Sequence, residues 1–175
     1  SYGTVESALE NAAELMRAGA HMVKLEGGLW LLETIKLLTE RGIPVCGHIG
    51  LTPQSVNVLG GFKVQGREDA DANRIISEAK ALEQAGAGLI VVECVPSELG
   101  AALSEATSIP IIGIGAGPGT DAQVMVLHDI LGISPRIPKF VRVFMNDADT
   151  IENALELYAL SVKNGQFPGE EHCFS

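Results

Sequence analysis

Apolar residues along this chain switch between two spacings. Between Val5 and Arg17 they recur at helical spacing (Val5, Ala8, Leu9, Ala12, Ala13, Leu15, Met16), which predicts a helix closing at Gly19. His21–Glu26 is strand-length and ends at Gly27-Gly28. Helical spacing returns from Leu29 to Arg41 and stops at Gly42. Pro44–Ile49 predicts a second strand, followed by a loop rich in Gly, Pro and Asn. Asp71–Ala85 reads as helix, Gly88–Cys94 as the most strand-like run of all, Ser97–Thr107 as a short helix and Pro110–Ile114 as a fourth strand. Gln123–His128 fits either a fifth strand or part of a helix, and Thr150–Asn164 predicts a terminal helix with Asp149 as its cap. Helix and apolar strand in alternation imply parallel strands in one α/β domain, with no linker or second domain.

One pattern occurs twice. Ala18-Gly19-Ala20 precedes a strand whose sixth residue beyond Ala20 is Glu26, and Ala85-Gly86-Ala87 precedes one whose sixth residue beyond Ala87 is Glu93. Each unit runs helix, Ala-Gly-Ala turn, apolar strand, then a carboxylate at the strand's carboxyl end. Strand side chains alternate, so Lys24 and Glu26 share a face. Parallel α/β folds bind ligands beyond the carboxyl ends of their strands, which makes these residues a candidate site.

Composition narrows the function classes. The 175 residues carry 12 basic and 22 acidic side chains and a formal net charge of −10. Such a chain repels phosphate backbones and anionic lipid, so neither nucleic acid nor a membrane surface is an expected partner. No apolar run approaches the roughly 18–20 residues needed to cross a bilayer, and Ser1-Tyr2-Gly3-Thr4 does not read as a secretory signal. Cys46, Cys94 and Cys173 are too dispersed for a disulfide framework or a zinc pattern and suit a reducing cytoplasm. The 20 glycines exceed the usual ~7% without collagen-like period, as expected where strands meet loops.

Each candidate has a plain reading beside the chemical one. Lys24 and Glu26 are either an ordinary ion pair at a strand end or part of a site, and burying an ammonium in an apolar strand is costly without a use for it. Glu93, after Leu-Ile-Val-Val, either reaches out into water or serves as a general base. His48 is either a satisfied structural histidine or a ligand-binding one at a strand's carboxyl end. Cys46 and Cys94 read as small packing residues with nothing to activate them. Gly113–Gly119 fails both nucleotide-loop patterns, because Pro118 stands where Gly or Ala is required and no Lys-Ser/Thr pair follows. Close backbone approach at a strand end, leaving room for a ligand, is its simpler meaning. His128-Asp129 lacks further ligands at metal spacing and reads as a core or polar cap.

Met22-Val23-Lys24-Leu25-Glu26-Gly27-Gly28, Pro44-Val45-Cys46-Gly47-His48-Ile49-Gly50-Leu51-Thr52-Pro53-Gln54-Ser55, Gly61-Phe62-Lys63-Val64-Gln65-Gly66-Arg67, Glu93-Cys94-Val95-Pro96, Ile112-Gly113-Ile114-Gly115-Ala116-Gly117 and Phe167-Pro168-Gly169-Glu170-Glu171-His172 resemble, in order, the ketopantoate hydroxymethyltransferase family. The resemblance runs from about Val5 to the last residue. It implies a (β/α)8 TIM barrel of the phosphoenolpyruvate/pyruvate type, of which this chain supplies roughly the last five βα units, in a cytoplasmic homodecamer. It implies transfer of a hydroxymethyl group from 5,10-methylenetetrahydrofolate to 3-methyl-2-oxobutanoate, with Mg2+, on the way to pantothenate and coenzyme A. By the same resemblance Glu93 is the catalytic base, Lys24 and His48 bind the keto acid, and Glu26 lies beside the magnesium. Gly60–Arg67 matches a mobile segment over the site's mouth.

Family members carry further sequence upstream, with the first three barrel strands, a substrate-binding serine and two magnesium-ligating aspartates, so this chain is expected to be the C-terminal portion of one barrel domain. Two other readings stay open. One is a related barrel that makes or breaks carbon–carbon or carbon–phosphorus bonds beside a keto acid. The other is a non-catalytic barrel fragment that binds a partner chain or a small acid.

Overall fold

The computed structural model describes residues 2–175. Helix α1 (Val5–Arg17) starts at a reciprocal cap: Ser7 N–H donates to Thr4 Oγ1 at 3.2 Å and Thr4 N–H to Ser7 Oγ at 3.1 Å. It ends in a turn where Ala20 N–H reaches Leu15 C=O and Gly19 N–H reaches Met16 C=O, which requires the left-handed backbone of Gly19 (φ +102°). Helix α3 (Asp69–Gln84) ends the same way at Gly86 (φ +106°), with Ala87 N–H on Leu82 C=O. The repeated Ala-Gly-Ala is thus a helix-stop device. The strands that follow, β1 (Val23–Glu26) and β3 (Leu89–Glu93), start two residues and one residue after the expected His21 and Gly88.

Strands β1, β2 (Val45–Gly50), β3, β4 (Ile111–Ile114) and β5 (Ala122–Gln123) form one parallel sheet in sequence order. Pro44 and Pro110 precede their strands without an N–H to offer, yet their carbonyls accept from Val23 and Ile90. Helices α2 (Leu32–Glu40), α3 and α4 (Ser97–Ala106) fill the crossovers after β1, β2 and β3. Sequential strand order with crossovers of one hand puts the helices on a single face, the winding of a barrel rather than of a doubly wound sheet. On that face Ile35, Leu38, Ile75, Leu82 and Leu103 pack against Val45, Ile90, Val92 and Ile111, all fully buried.

Two details differ from the sequence reading. Gln123–His128 divides into the two-residue β5 and a single helical turn, α5 (Leu127–Ile130), and only a loop joins β4 to β5. The terminal helix α6 (Ile151–Lys163) is capped by Thr150, not Asp149, because Thr150 is the extended residue whose hydroxyl accepts the Asn153 N–H at 3.1 Å. Behind β5 a second apolar cluster gathers Met125, Ile130, Val141, Phe144, Ala154 and Phe167, with Phe144 edge-on to Tyr158 and to Phe167 at 5.4 Å between centroids. The chain's last residues reach the start of α4, where Phe174 C=O accepts the Ser97 N–H.

Candidate active site

Strand register decides which side chains meet. Glu26 lies beside His48, and Gly50 beside Glu93, so on the face away from the helices Lys24, Glu26, His48 and Glu93 rise in adjacent rows. Their heads converge. His48 Nδ1 lies 3.3 Å from Glu26 Oε1 and 3.4 Å from Lys24 Nζ, while its Nε2 lies 3.1 Å from Glu93 Oε2. Lys24 Nζ is 3.7 Å from Glu26 Oε1. Side-chain exposure falls from 49% for Lys24 to 15% for Glu93, 10% for Glu26 and 2% for His48. His48 is the buried hub, Lys24 the open edge.

The Glu93 carboxylate therefore does not reach out into water. Although close to it, His48 Nε2 is not aligned for a hydrogen bond and is left as a buried polar atom without one. Leaving such an atom unpaired costs about 1–3 kcal/mol, a cost that a bound oxygen would remove. Glu26 is better held, its Oε2 accepting the backbone N–H of Gln54 at 3.2 Å. Gly50, in the left-handed region at φ +83°, lets the β2 end pass against the Glu93 backbone, and Leu51 N–H donates to Glu93 C=O at 2.8 Å.

Cys46 and Cys94 are buried beside this cluster as small packing residues. Burial pushes both thiols up, and for Cys94 the neighbouring Glu93 charge adds to it, to about 12. Cys94 also carries a left-handed backbone (φ 49°), and its carbonyl accepts the Gln65 N–H at 2.9 Å. The segment expected over the mouth is thereby tied to the residue after Glu93. Its next N–H, Gly66, donates to Asp71 Oδ2 at 2.6 Å.

Three residues near the strand ends, Tyr2, Trp30 and Gln54, have no role in the sequence reading. Leu29–Leu31 is a 3-10 turn rather than the start of α2, and it swings Trp30 over Gly27 so closely that a Cβ there would meet the indole at 2.6 Å. Tyr2 stacks beside Trp30, centroids 6.1 Å apart, and its hydroxyl donates to Gln54 Oε1 at 3.0 Å. The Gly27-Gly28 pair was the available signal, marking where a backbone has to yield to a ring.

Other candidates dissolve. Gly115 and Gly117 make room for this chain's own Phe140 and Ser97, not for a ligand. Asp129 is buried and accepts the Ser134 hydroxyl at 2.5 Å, as a polar cap would, while His128 is exposed. A cavity of about 470 Å³ between α3 and α4, lined by Arg67, Ile76, Ser97, Leu99 and Phe174, includes none of the four converging residues. Among the described residues no three His, Cys, Asp or Glu side chains are grouped to hold a metal ion, and no helix is long and apolar enough to cross a membrane.

The family profile described as ketopantoate hydroxymethyltransferase matches residues 1–170. The chain belongs to that family. A ketopantoate hydroxymethyltransferase relative from Shewanella oneidensis, named 3-methyl-2-oxobutanoate hydroxymethyltransferase, is 60% identical over 176 residues, covering 100% of this chain and 67% of the relative. One of the same name from Pseudomonas fluorescens is 58% identical, over 99% of this chain and 66% of its own length. The chain thus spans about two thirds of the length of these family members. A solved dihydrodipicolinate synthase from Agrobacterium tumefaciens superposes with a TM-score of 0.43 at 19% identity, over 69% of this chain and 42% of that one, a likeness too slight to carry an argument.

Proposed function

We propose that this chain forms the proton-abstracting side of an active site that transfers a hydroxymethyl group from 5,10-methylenetetrahydrofolate to 3-methyl-2-oxobutanoate, giving ketopantoate for pantothenate and coenzyme A. The observation that carries the reading is the convergence of Lys24, Glu26, His48 and Glu93 on one mouth in a chain of this family. Lys24, half exposed, meets the keto acid's negative charge, and His48 Nε2 takes one of its oxygens. Glu93 accepts the C3 proton as the C3–H electron pair moves into the enolate, whose charge gathers beside Lys24. The C3 carbon then bonds to the donor's methylene carbon. That carbon leaves the donor's two nitrogens, which take up the proton held by Glu93 and one proton of a water, and the rest of that water becomes the new hydroxyl.

Magnesium belongs to the proposal as a neighbour of Glu26, but the residues present do not make its site. Glu26 Oε1 is already shared by Lys24 and His48, Oε2 is taken by Gln54 N–H, and no third ligand is grouped with them among the described residues. The ion's ligands are assigned to the third of the family length outside this chain, together with the strands that close the eight-stranded barrel. The cytoplasmic homodecamer is part of the same proposal, by family resemblance.

Deuterium exchange at C3 of 3-methyl-2-oxobutanoate tests the reading in the assembled protein. The expected result is exchange in the parent and none in Glu93→Gln, with keto-acid binding retained. Unchanged exchange in that variant overturns Glu93 as the base. Exchange without folate-dependent product points instead to another enzyme of keto-acid chemistry.

A further inference from the structure

Among the described residues, Cys94 is the one non-glycine with a left-handed backbone, at φ 49°, and it directly follows Glu93. A Cβ makes that conformation unfavourable, so it persists only where neighbours hold it from several sides. Two of those holds come from the sheet. Leu51 N–H, just beyond β2, donates to Glu93 C=O, and Cys94 N–H donates to Ile114 C=O of β4 at 2.9 Å. The third does not. Cys94 C=O accepts the N–H of Gln65, in the segment that leads into α3.

That segment has to be held in turn, and one side chain does it. Asp71 reaches back past Glu68, the residue at the cap position of α3, whose own side chain caps nothing, and its Oδ2 accepts the Gly66 N–H at 2.6 Å. Arg74 takes the other oxygen, with Nε at 3.0 Å and Nη2 at 2.5 Å, so the two carboxylate oxygens serve different partners. Gly66, at φ +78°, is also wedged between helices, since a Cβ there would run into Leu99 of α4 and stand 3.1 Å from Ile75 of α3.

We infer that Asp71 is a positioning residue for Glu93: by fixing Gly66 it aims the adjacent Gln65 N–H at Cys94, and so sustains the left-handed turn that orients the proton-accepting carboxylate. This rests on the proposed reaction, in which Glu93 is the base. Helix capping does not account for the arrangement, because the N–H that Asp71 holds lies ahead of the cap residue, outside the helix.

The test compares Asp71→Ala, Asp71→Asn and Arg74→Ala in the assembled protein. Asparagine keeps an oxygen for the Gly66 N–H, and Arg74→Ala removes the ion pair while leaving the Gly66 bond, so it controls for lost stability alone. Deuterium exchange at C3 of saturating 3-methyl-2-oxobutanoate should fall roughly ten-fold or more in Asp71→Ala, with keto-acid affinity kept, and stay close to parental in the other two. Amide hydrogen exchange at Gln65 and Gly66, followed by mass spectrometry, should speed up in Asp71→Ala and not in Arg74→Ala. Parental C3 exchange in Asp71→Ala, or an equal fall in Arg74→Ala, overturns the positioning role and leaves the proposed reaction standing so long as Glu93→Gln abolishes exchange. C3 exchange that survives in Glu93→Gln overturns the proposed base and this role with it.

Discussion

Gly50→Ala separates the backbone that aims Glu93 from the stability of the sheet as a whole. Gly50 has φ +83°, and a Cβ built on it would stand 2.4 Å from the Glu93 carbonyl oxygen and 3.2 Å from the Glu93 nitrogen. Both are backbone atoms, which cannot swing aside, so the strand end has to open by about 0.6 Å merely to reach the 3.0 Å below which real Cβ contacts are essentially never seen. The left-handed conformation costs an alanine roughly 1–2 kcal/mol. Weakening the Leu51 N–H bond to Glu93 C=O adds about 1 kcal/mol, for a total near 2–3 kcal/mol. Gly42 is the control, with φ +79° but nothing within 4 Å of its Cβ, so Gly42→Ala bears only the conformational part. Displacing a reacting group by about an ångström costs on the order of 10²-fold in rate. Denaturant midpoints and C3–deuterium exchange, measured on both variants, should therefore show a larger stability loss and a large fall in exchange for Gly50→Ala, and near-parental exchange for Gly42→Ala. Equal stability losses with exchange unaffected in both would refute the claim that Gly50 sets the position of Glu93.

Two further outcomes concern the cysteines and Asp71. With a thiol pushed up to about 12 and 6% exposure, Cys94 has almost no thiolate at pH 8, so iodoacetamide should modify Cys173 in the native protein and reach Cys94 and Cys46 only after denaturation, as peptide mass spectrometry would show. Burial works against the Asp71 carboxylate, but the Arg74 guanidinium and the Gly66 N–H outweigh it and hold its pKa below the ordinary 3.8. A depressed carboxyl contributes stability above its ordinary value and loses it as pH falls through the lower folded-state value. Asp71→Asn, a partly exposed site, should cost on the order of 1 kcal/mol at pH 7, with the gap in urea midpoint closing as pH is lowered through and below that range.

Much of this was legible because the fold speaks through local devices. The Ala-Gly-Ala stops, the period switch at each strand and the acids at two strand ends all act within a few residues, so sequence spacing carries them. Rows across the sheet are set by long-range pairing, which no local pattern encodes. That His48 falls beside Glu26 while its other nitrogen reaches Glu93 follows only once β2 is seated between β1 and β3. The aromatic rim was lost for a different reason. Leu29-Trp30-Leu31-Leu32 has the apolar density of a helix, and only the 3-10 turn turns Trp30 outward. Gly115 and Gly117 misled because glycine announces close approach without saying to what, and here the neighbours are Phe140 and Ser97.

The charge balance of the mouth bears on how much of the site this chain holds. Glu26 and Glu93 flank His48, and the one fixed positive charge touching the cluster is Lys24, half in water. With a neutral imidazole the four groups sum to one net negative charge, and with an imidazolium to zero. Neither balance attracts a keto acid, itself an anion, and in a water-poor site two unit charges 4 Å apart interact by roughly 4 kcal/mol even at an effective dielectric of 20. The proposed reaction therefore requires positive charge that these four residues lack, and its source is to be sought outside them.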